Sequence, residues 1–243
     1  MKQTLFYGKT DPGLVREKNE DIFLIDEKIK FCLVADGIGG SRAGEIASRM
    51  FADTVADCFK DMKDIRESNA PGFIKKVFST ANKKILDHSM ENPDCSGMGC
   101  TAELILFFNN SYLLGHIGDS KTFRMRDGKL KQLTTDHSLV QEQIRQGLIT
   151  ENEAERHAFK NLLIRAVGIE KNPSLDILKG ETLDRDRFLL CSDGLTDMIA
   201  FSDIEDTLNA TSDNRAAVDK LIDNAKKNGG RDNITVVIVQ IDE

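Results

Sequence analysis

Residues 103–133 read ELILFFNNSYLLGHIGDSKTFRMRDGKLKQL, and their pattern decides the fold. Four short runs rich in apolar residues are separated by turn signals: Glu103–Phe108, Tyr112–Ile117, Lys121–Arg126 and Lys129–Leu133. Asn109-Asn110 suits a tight turn between the first two. Asp127-Gly128, between the last two, is the strongest short hairpin signal, because a type I′ turn needs positive φ at both central residues. Strands joined in this way pair antiparallel, so the four are expected in an antiparallel sheet.

Toward the N-terminus, strands are expected at Thr4–Gly8, Ile22–Ile25 and Lys30–Ala35, the last carrying the apolar run FCLVA of a buried strand. A helix fits Gly44–Phe59, with Ala47, Phe51, Val55 and Cys58 on one face. A second fits Gly72–His88, with Phe73, Val77, Ala81 and Ile85 as its stripe. Toward the C-terminus, Ser138–Gly147 reads as helical, Thr150-Glu151-Asn152-Glu153 as a capping box, and Leu162–Val167 as further helix. This stretch from about Ser138 to Val167 has few apolar residues near Glu151–His157 and is expected to be a mobile surface insertion. Strands resume at Leu175–Leu178 and Arg187–Cys191. Ser202-Asp203-Ile204-Glu205 reads as another capping box. Asn214–Lys227 is amphipathic through Val218, Leu221, Ile222 and Ala225 and closes at Gly229-Gly230. The last strand is Ile234–Ile241. Strands in antiparallel blocks with helices segregated predict an α+β fold, two antiparallel sheets packed face to face with helices outside.

The 243 residues carry 33 basic and 40 acidic side chains, a net charge of 33 − 40 = −7. Without a linker or repeat, one domain with a sizeable core is the simplest organisation. No run approaches the ~20 apolar residues of a membrane span, and the N-terminus carries no secretory signal. An acidic chain lacks the basic face that polyanions need, so neither nucleic acid nor membrane is an expected partner. The five cysteines, without Cys-x-x-Cys, read as reduced thiols in a cytoplasmic protein.

The chemistry lies where aspartates meet strand ends. Phe31–Ala35 ends in Asp36-Gly37, Tyr112–Ile117 in Gly118-Asp119 and Phe188–Ser192 in Asp193-Gly194. Asn19-Glu20-Asp21 enters an early strand, and Gly229-Gly230-Arg231-Asp232-Asn233 enters the last one. Any one of these is ordinarily a turn. Together they place carboxylates on rigid supports, beside glycines that let the backbone turn sharply. Carboxylates gathered at one edge repel each other unless a cation lies between them, and an all-oxygen set suits Mg²⁺ or Mn²⁺ rather than Zn²⁺.

In order along nearly the whole chain, these motifs, with Arg16-Glu17-Lys18-Asn19-Glu20-Asp21, Gly99-Cys100-Thr101 and Cys191–Asp197, resemble those of the metal-dependent protein phosphatases of the protein phosphatase 2C (PPM) family in its compact bacterial form. The resemblance implies a four-layer sandwich over residues 1–243, with the helical segment near 138–167 as a flap that sets substrate selectivity. It implies hydrolysis of phosphoserine and phosphothreonine in phosphoproteins, with a cognate serine/threonine kinase as counterpart and a monomeric, cytoplasmic enzyme. Asp36 would bridge two Mg²⁺ or Mn²⁺ ions, with the Gly37 carbonyl on one and Asp193 and Asp232 completing the other. Asp21 and Glu20 would bind at the rim, Asp119 would hold a third ion, and Arg16 would clamp the phosphate. Two such ions ~3.5–4 Å apart can share a water, lower its pKa and aim it at phosphorus.

Three positions depart from the family pattern. Ile38 and Ser41 stand where many relatives carry a histidine, so the leaving-group proton comes from a water at the metals or from another donor. Cys100 replaces a threonine, and Lys121 replaces an arginine, keeping the charge but losing the fork. His88, His116, His137 and His157 lack ligand spacing and read as structural or surface residues, with His137, next to Asp136, the one to test. The competing functions are a non-catalytic module of the same fold, which should have lost metal ligands, and an aspartyl-nucleophile phosphatase. The latter needs Asp-x-Asp on a parallel sheet. The segment Gly37–Gly44, with Arg42 at the third glycine position, is not a nucleotide loop.

Overall fold

Alternation along the strands builds the interior. The computed structural model describes residues 3–39, 43–62 and 64–242. Among them the order is β1 (Gln3–Asp11), β2 (Asp21–Asp26), β3 (Phe31–Ile38), α1 (Gly44–Asp61), α2 (Ala70–Glu91), β4 (Gly99–Cys100), β5 (Ala102–Phe107), β6 (Ser111–Ile117), β7 (Lys121–Arg126) and β8 (Lys129–Gln132). There follow α3 (Leu139–Arg145), α4 (Glu151–Glu155), β9 (Asp176–Glu181), β10 (Arg187–Cys191), α5 (Asp193–Thr196), α6 (Phe201–Ala210), α7 (Asn214–Lys227) and β11 (Ile234–Asp242). One sheet runs β1-β11-β10-β7-β8 and the other β2-β3-β5-β6-β9, with β4 added to β3. Every pairing among the described residues is antiparallel, which removes the aspartyl-nucleophile alternative.

On β3, Phe31, Leu33 and Ala35 face α1 and α2, while Cys32 and Val34 face the other sheet. On β11, Ile234, Val236 and Ile238 face α6 and α7, while Val237, Val239 and Ile241 face inward. Three apolar layers thus hold four structural layers, helices–sheet–sheet–helices, as expected from the period of two along a strand. The stripes expected on α1 and α2 are buried except Cys58, which is half-buried. Phe59 takes its place, stacked on Phe31 with ring centroids 4.1 Å apart.

Three expectations are corrected. The four central strands do not share one sheet. β5 and β6 lie in one, β7 and β8 in the other, and the chain crosses between them at Gly118-Asp119-Ser120. Gly118 makes the turn with φ +114. The Asp127-Gly128 hairpin is formed, with φ of 51 and 76. Leu162–Val167 is not helical. Leu163 bridges Ser138 and Val167 bridges Cys100, and Ala166 and Val167 are buried, because their extended backbone satisfies β4 and fills the helix-side core. Ser202 does not cap α6. The helix begins behind Ala200 without a side-chain cap, and Glu205 instead accepts the Leu130 backbone N–H at 2.7 Å. The Thr150 capping box is present. Among the described residues no helix is long and apolar enough to cross a membrane.

Candidate metal centre

The open end of the inter-sheet layer carries the acids. β2 and β3 pair so that Asp21 stands opposite Asp36. Both continue the inward-facing rows, Asp21 ahead of Phe23 and Asp36 after Cys32 and Val34. Asp119 lies at the crossing between the sheets. Asp193 opens α5 directly after β10, and Asp232 precedes β11 beside Asn233. Arg16, Glu20, Asp36, Gly37, Asp119, Asp193 and Asp232 line one cavity of about 600 Å³. Asp21 lies just beneath, 7% exposed.

Backbone and hydroxyl groups hold this arrangement. Thr101 and Asp36 exchange two bonds, Asp36 N–H to Thr101 Oγ1 and Thr101 N–H to the Asp36 carbonyl, each 2.9 Å. Thr101 Oγ1 also meets the buried Ser120 hydroxyl at 2.7 Å. Ser192 Oγ donates to Asp21 Oδ2 at 2.7 Å and accepts the Thr235 N–H at 3.0 Å. Asn233 Oδ1 accepts the Glu20 N–H at 2.8 Å, and its amide donates to the carbonyls of Pro12 and Lys18 at 3.1 and 2.8 Å. It therefore ties the loop bearing Arg16 and Glu20 to the base of β11. Gly37 admits no side chain, since a Cβ there would lie 2.2 Å from the Gly44 carbonyl oxygen at the start of α1.

Ser192, Asn233, Thr101 and Ser120 support the site without carrying charge. Their signal in the sequence is that Ser192, Asn233 and Ser120 each adjoin an aspartate and that Thr101 closes the Gly99-Cys100-Thr101 motif. Ile38 lines the cavity and offers no proton. Ser41 and Arg42 lie outside the described residues. Lys121 is turned inward, 2.9 Å from Asp136 and 3.0 Å from the Asp119 carbonyl, so it braces the crossing instead of facing the cavity.

The electrostatics show an uncompensated site. Burial first, and then the neighbouring aspartates, push Asp21 up to about 7. Burial and then Asp193 push Asp119 up to about 7. Asp36 is driven well above the usual carboxylate range by burial and by Asp21, Asp193, Asp119 and Asp232. Burial and then Asp197 raise Asp193, and burial raises Glu20. Of the two guanidinium groups lining the cavity, Arg16 and Arg165, Arg16 donates to Asp232 Oδ2 at 2.7 Å and is half-exposed. Two buried carboxylate oxygens, Asp21 Oδ1 and Asp193 Oδ1, have no hydrogen-bond partner. A buried anionic oxygen without a partner is costly, and hard oxygen donors on rigid supports are what a divalent cation requires. Among the described residues no three acidic, histidine or cysteine side chains already converge tightly enough to enclose an ion. The donor set fits Mg²⁺ or Mn²⁺.

Comparison with known proteins agrees with this geometry. The family model for protein phosphatase 2C matches residues 16–234. The serine/threonine phosphatase stp of Listeria welshimeri is 34% identical over 236 residues, which cover 96% of this chain and 94% of that protein. The crystal structure of the Mycobacterium tuberculosis serine/threonine phosphatase PstP/Ppp superposes with a TM-score of 0.92 at 32% identity, each chain covered in full. The PstP catalytic domain in complex with two manganese ions superposes with a TM-score of 0.90, also at 32% identity and full coverage of both.

Proposed function

The chain belongs to the protein phosphatase 2C family, a metal-dependent protein serine/threonine phosphatase, and on that premise we propose how its own residues carry the reaction. Asp36, the Gly37 carbonyl, Asp193 and Asp232, gathered around one cavity, would hold two Mg²⁺ or Mn²⁺ ions. Asp21 and Glu20 would act at the rim, and Asp119 would hold a third ion. When bound, the metals supply positive charge and the Lewis acidity that readies water for in-line attack on phosphorus. Arg16 receives the phosphate of phosphoserine or phosphothreonine. Its bond to Asp232 uses one of five guanidinium N–H groups, so a forked pair remains for two phosphate oxygens. No histidine is among the described residues lining the cavity, so no imidazole there protonates the leaving serine or threonine oxygen.

The observation that carries this reading is the pair of buried, unpartnered oxygens Asp21 Oδ1 and Asp193 Oδ1 beside the half-buried Asp36. A binding module without catalysis has no use for so many retained acids. The test is hydrolysis of a phosphothreonine peptide with Mn²⁺ by the chain and by Asp36→Ala. Turnover that Asp36→Ala leaves intact would end the proposal.

We further propose that residues 1–243 form one domain. The pairing of β1 with β11 along nine residues and the Arg16–Asp232 contact support this. Residues 138–167 act as the selectivity flap. Asn161–Ala166 line the cavity, and Phe159, Leu162 and Ile164 present exposed apolar surface beside it. Replacing this segment is expected to alter peptide preference while sparing small aryl phosphates. Equal losses on both would contradict it. A cytoplasmic monomer opposing a cognate serine/threonine kinase is the setting we propose, supported by five cysteines that are all free thiols.

A further inference from the structure

Two histidines are buried beside the cavity without lining it. His116 on β6 is fully buried, its Nδ1 against Glu103 and its Nε2 2.9 Å from the Thr135 carbonyl. Thr122 on the opposite sheet also donates to Glu103, so this group pins the two sheets together. His137 lies against His116 with ring centroids 4.5 Å apart and is 6% exposed.

His137 grips Gly118 at both of its backbone polar groups. The His137 N–H donates to the Gly118 carbonyl at 2.7 Å, and His137 Nδ1 accepts the Gly118 N–H at 3.1 Å. Gly118 is the residue that turns the chain from one sheet to the other, and Asp119 follows it directly. On its other side His137 meets the cavity wall. Its carbonyl accepts the Ile164 N–H at 2.9 Å, and its Nε2 lies 3.2 Å from Asp176 Oδ2 and 3.1 Å from Arg165 Nη1. Arg165 also reaches Asp176 Oδ1 at 3.4 Å, and Ile164 and Arg165 line the cavity.

The ring's tautomer follows from these contacts. A neutral imidazole that accepts at Nδ1 carries its proton on Nε2, where Asp176 Oδ2 receives it, and Arg165 Nη1 then donates to Asp176 Oδ1 and not to the ring. Burial and the adjacent His116 hold His137 down at about 4, so the neutral form is the one present near neutrality. Metal-site side chains are commonly oriented by such outer hydrogen bonds.

We infer that His137 is a positioning residue: through Nδ1 it holds the Gly118 amide and thereby sets Asp119, and through its carbonyl it joins that setting to the cavity wall at Ile164. The inference rests on reading Asp119 as a metal ligand. What matters is a hydrogen-bond acceptor at the place of Nδ1. Asparagine can present its Oδ1 there. Glutamine places its polar atoms one bond farther out, near the place of Nε2.

The test uses the whole chain with His137→Asn, His137→Gln and Asp119→Ala. Amide hydrogen exchange at Gly118 is followed by NMR in metal-free protein, and Mn²⁺ is titrated by calorimetry. His137→Gln is expected to speed Gly118 exchange at least about 10-fold and to weaken the weakest Mn²⁺ step by about 10–100-fold, the usual effect of losing such a support. His137→Asn is expected to restore both, with the Ile238 amide of β11 protected in every variant. Unchanged Gly118 exchange in His137→Gln would overturn the inference. So would equal losses in the Asn and Gln variants, which would mark a packing role alone. An Mn²⁺ titration that Asp119→Ala leaves unchanged would refute the ligand reading of Asp119, while Gly118 exchange that still depends on residue 137 would uphold the hold on Gly118.

Discussion

Asp21 and Asp36 stand directly opposite each other across β2 and β3, two carboxylates in a position where like charges destabilise a sheet. Burial sharpens the conflict, and both are driven above the usual carboxylate range. Ser192 relieves one oxygen of Asp21 and Thr101 fixes the Asp36 backbone, yet Asp21 Oδ1 is left with no partner. On the proposed reading, a divalent cation between the two carboxylates would offset this cost.

The conflict has a pH signature. Asp21 and Asp119 rise from 3.8 to about 7 on folding. Between those values the folded chain binds protons that the unfolded chain releases. Stability is therefore present at the acid side and lost as pH climbs through about 7. Metal-free protein is expected to melt at a lower temperature at about pH 8 than at about pH 5. Mg²⁺ should raise the melting temperature more at the higher pH, where it replaces no proton. Asp21→Asn should flatten the slope. A metal-free melting temperature that rises across this interval would contradict the assignment.

Arg16→Lys keeps the charge but loses the fork. The expected result is a drop of about 10-fold in kcat/KM, or ~1.4 kcal/mol, carried mainly by KM. It should be similar for a phosphopeptide and an aryl phosphate, because both present the same phosphate. Unchanged steady-state kinetics would remove Arg16 from the site.

Gly37→Ala tests the close approach of β3 to α1. With Gly44 oxygen 2.2 Å from the new Cβ, backbone must shift, and overpacking of this kind costs about 1–3 kcal/mol or more. Thermal unfolding should show a fall of several degrees together with a higher Mn²⁺ requirement. A variant as stable as the parent would mean the approach is looser than described.

Asn233→Ala removes the tie between β11 and the loop carrying Arg16 and Glu20. Half-maximal activation is expected to need about 10–100-fold more Mn²⁺, as for other supports of metal ligands. An unaltered Mn²⁺ dependence would make Asn233 a local loop residue only.

Much of the fold and of the site is legible in the amino-acid sequence. The hairpins at Asn109-Asn110 and Asp127-Gly128 declare themselves through local turn chemistry, and the helix stripes through their period. The acids at strand ends could be read because each sits beside glycine after an apolar run. What escaped is long-range. Nothing local to Gly118-Asp119-Ser120 reports that the chain there leaves one sheet for the other, yet that crossing is why Asp119 reaches the cavity. Leu162–Val167 looks helical by composition, but its backbone is claimed by Ser138 and Cys100, far away in sequence. Ser192 and Asn233 read as ordinary turn residues until Asp21 and Glu20 are seen against them. The pairing of His137 with Gly118 likewise joins residues that the sequence separates by a whole hairpin.

The most direct measurement is anomalous diffraction at the manganese edge from crystals soaked in MnCl₂. Two peaks are expected in the cavity, both in contact with Asp36, one with the Gly37 carbonyl and the other with Asp193 and Asp232, and both should vanish in Asp36→Ala. Manganese absent from this cavity, or bound there without touching Asp36, would contradict the account.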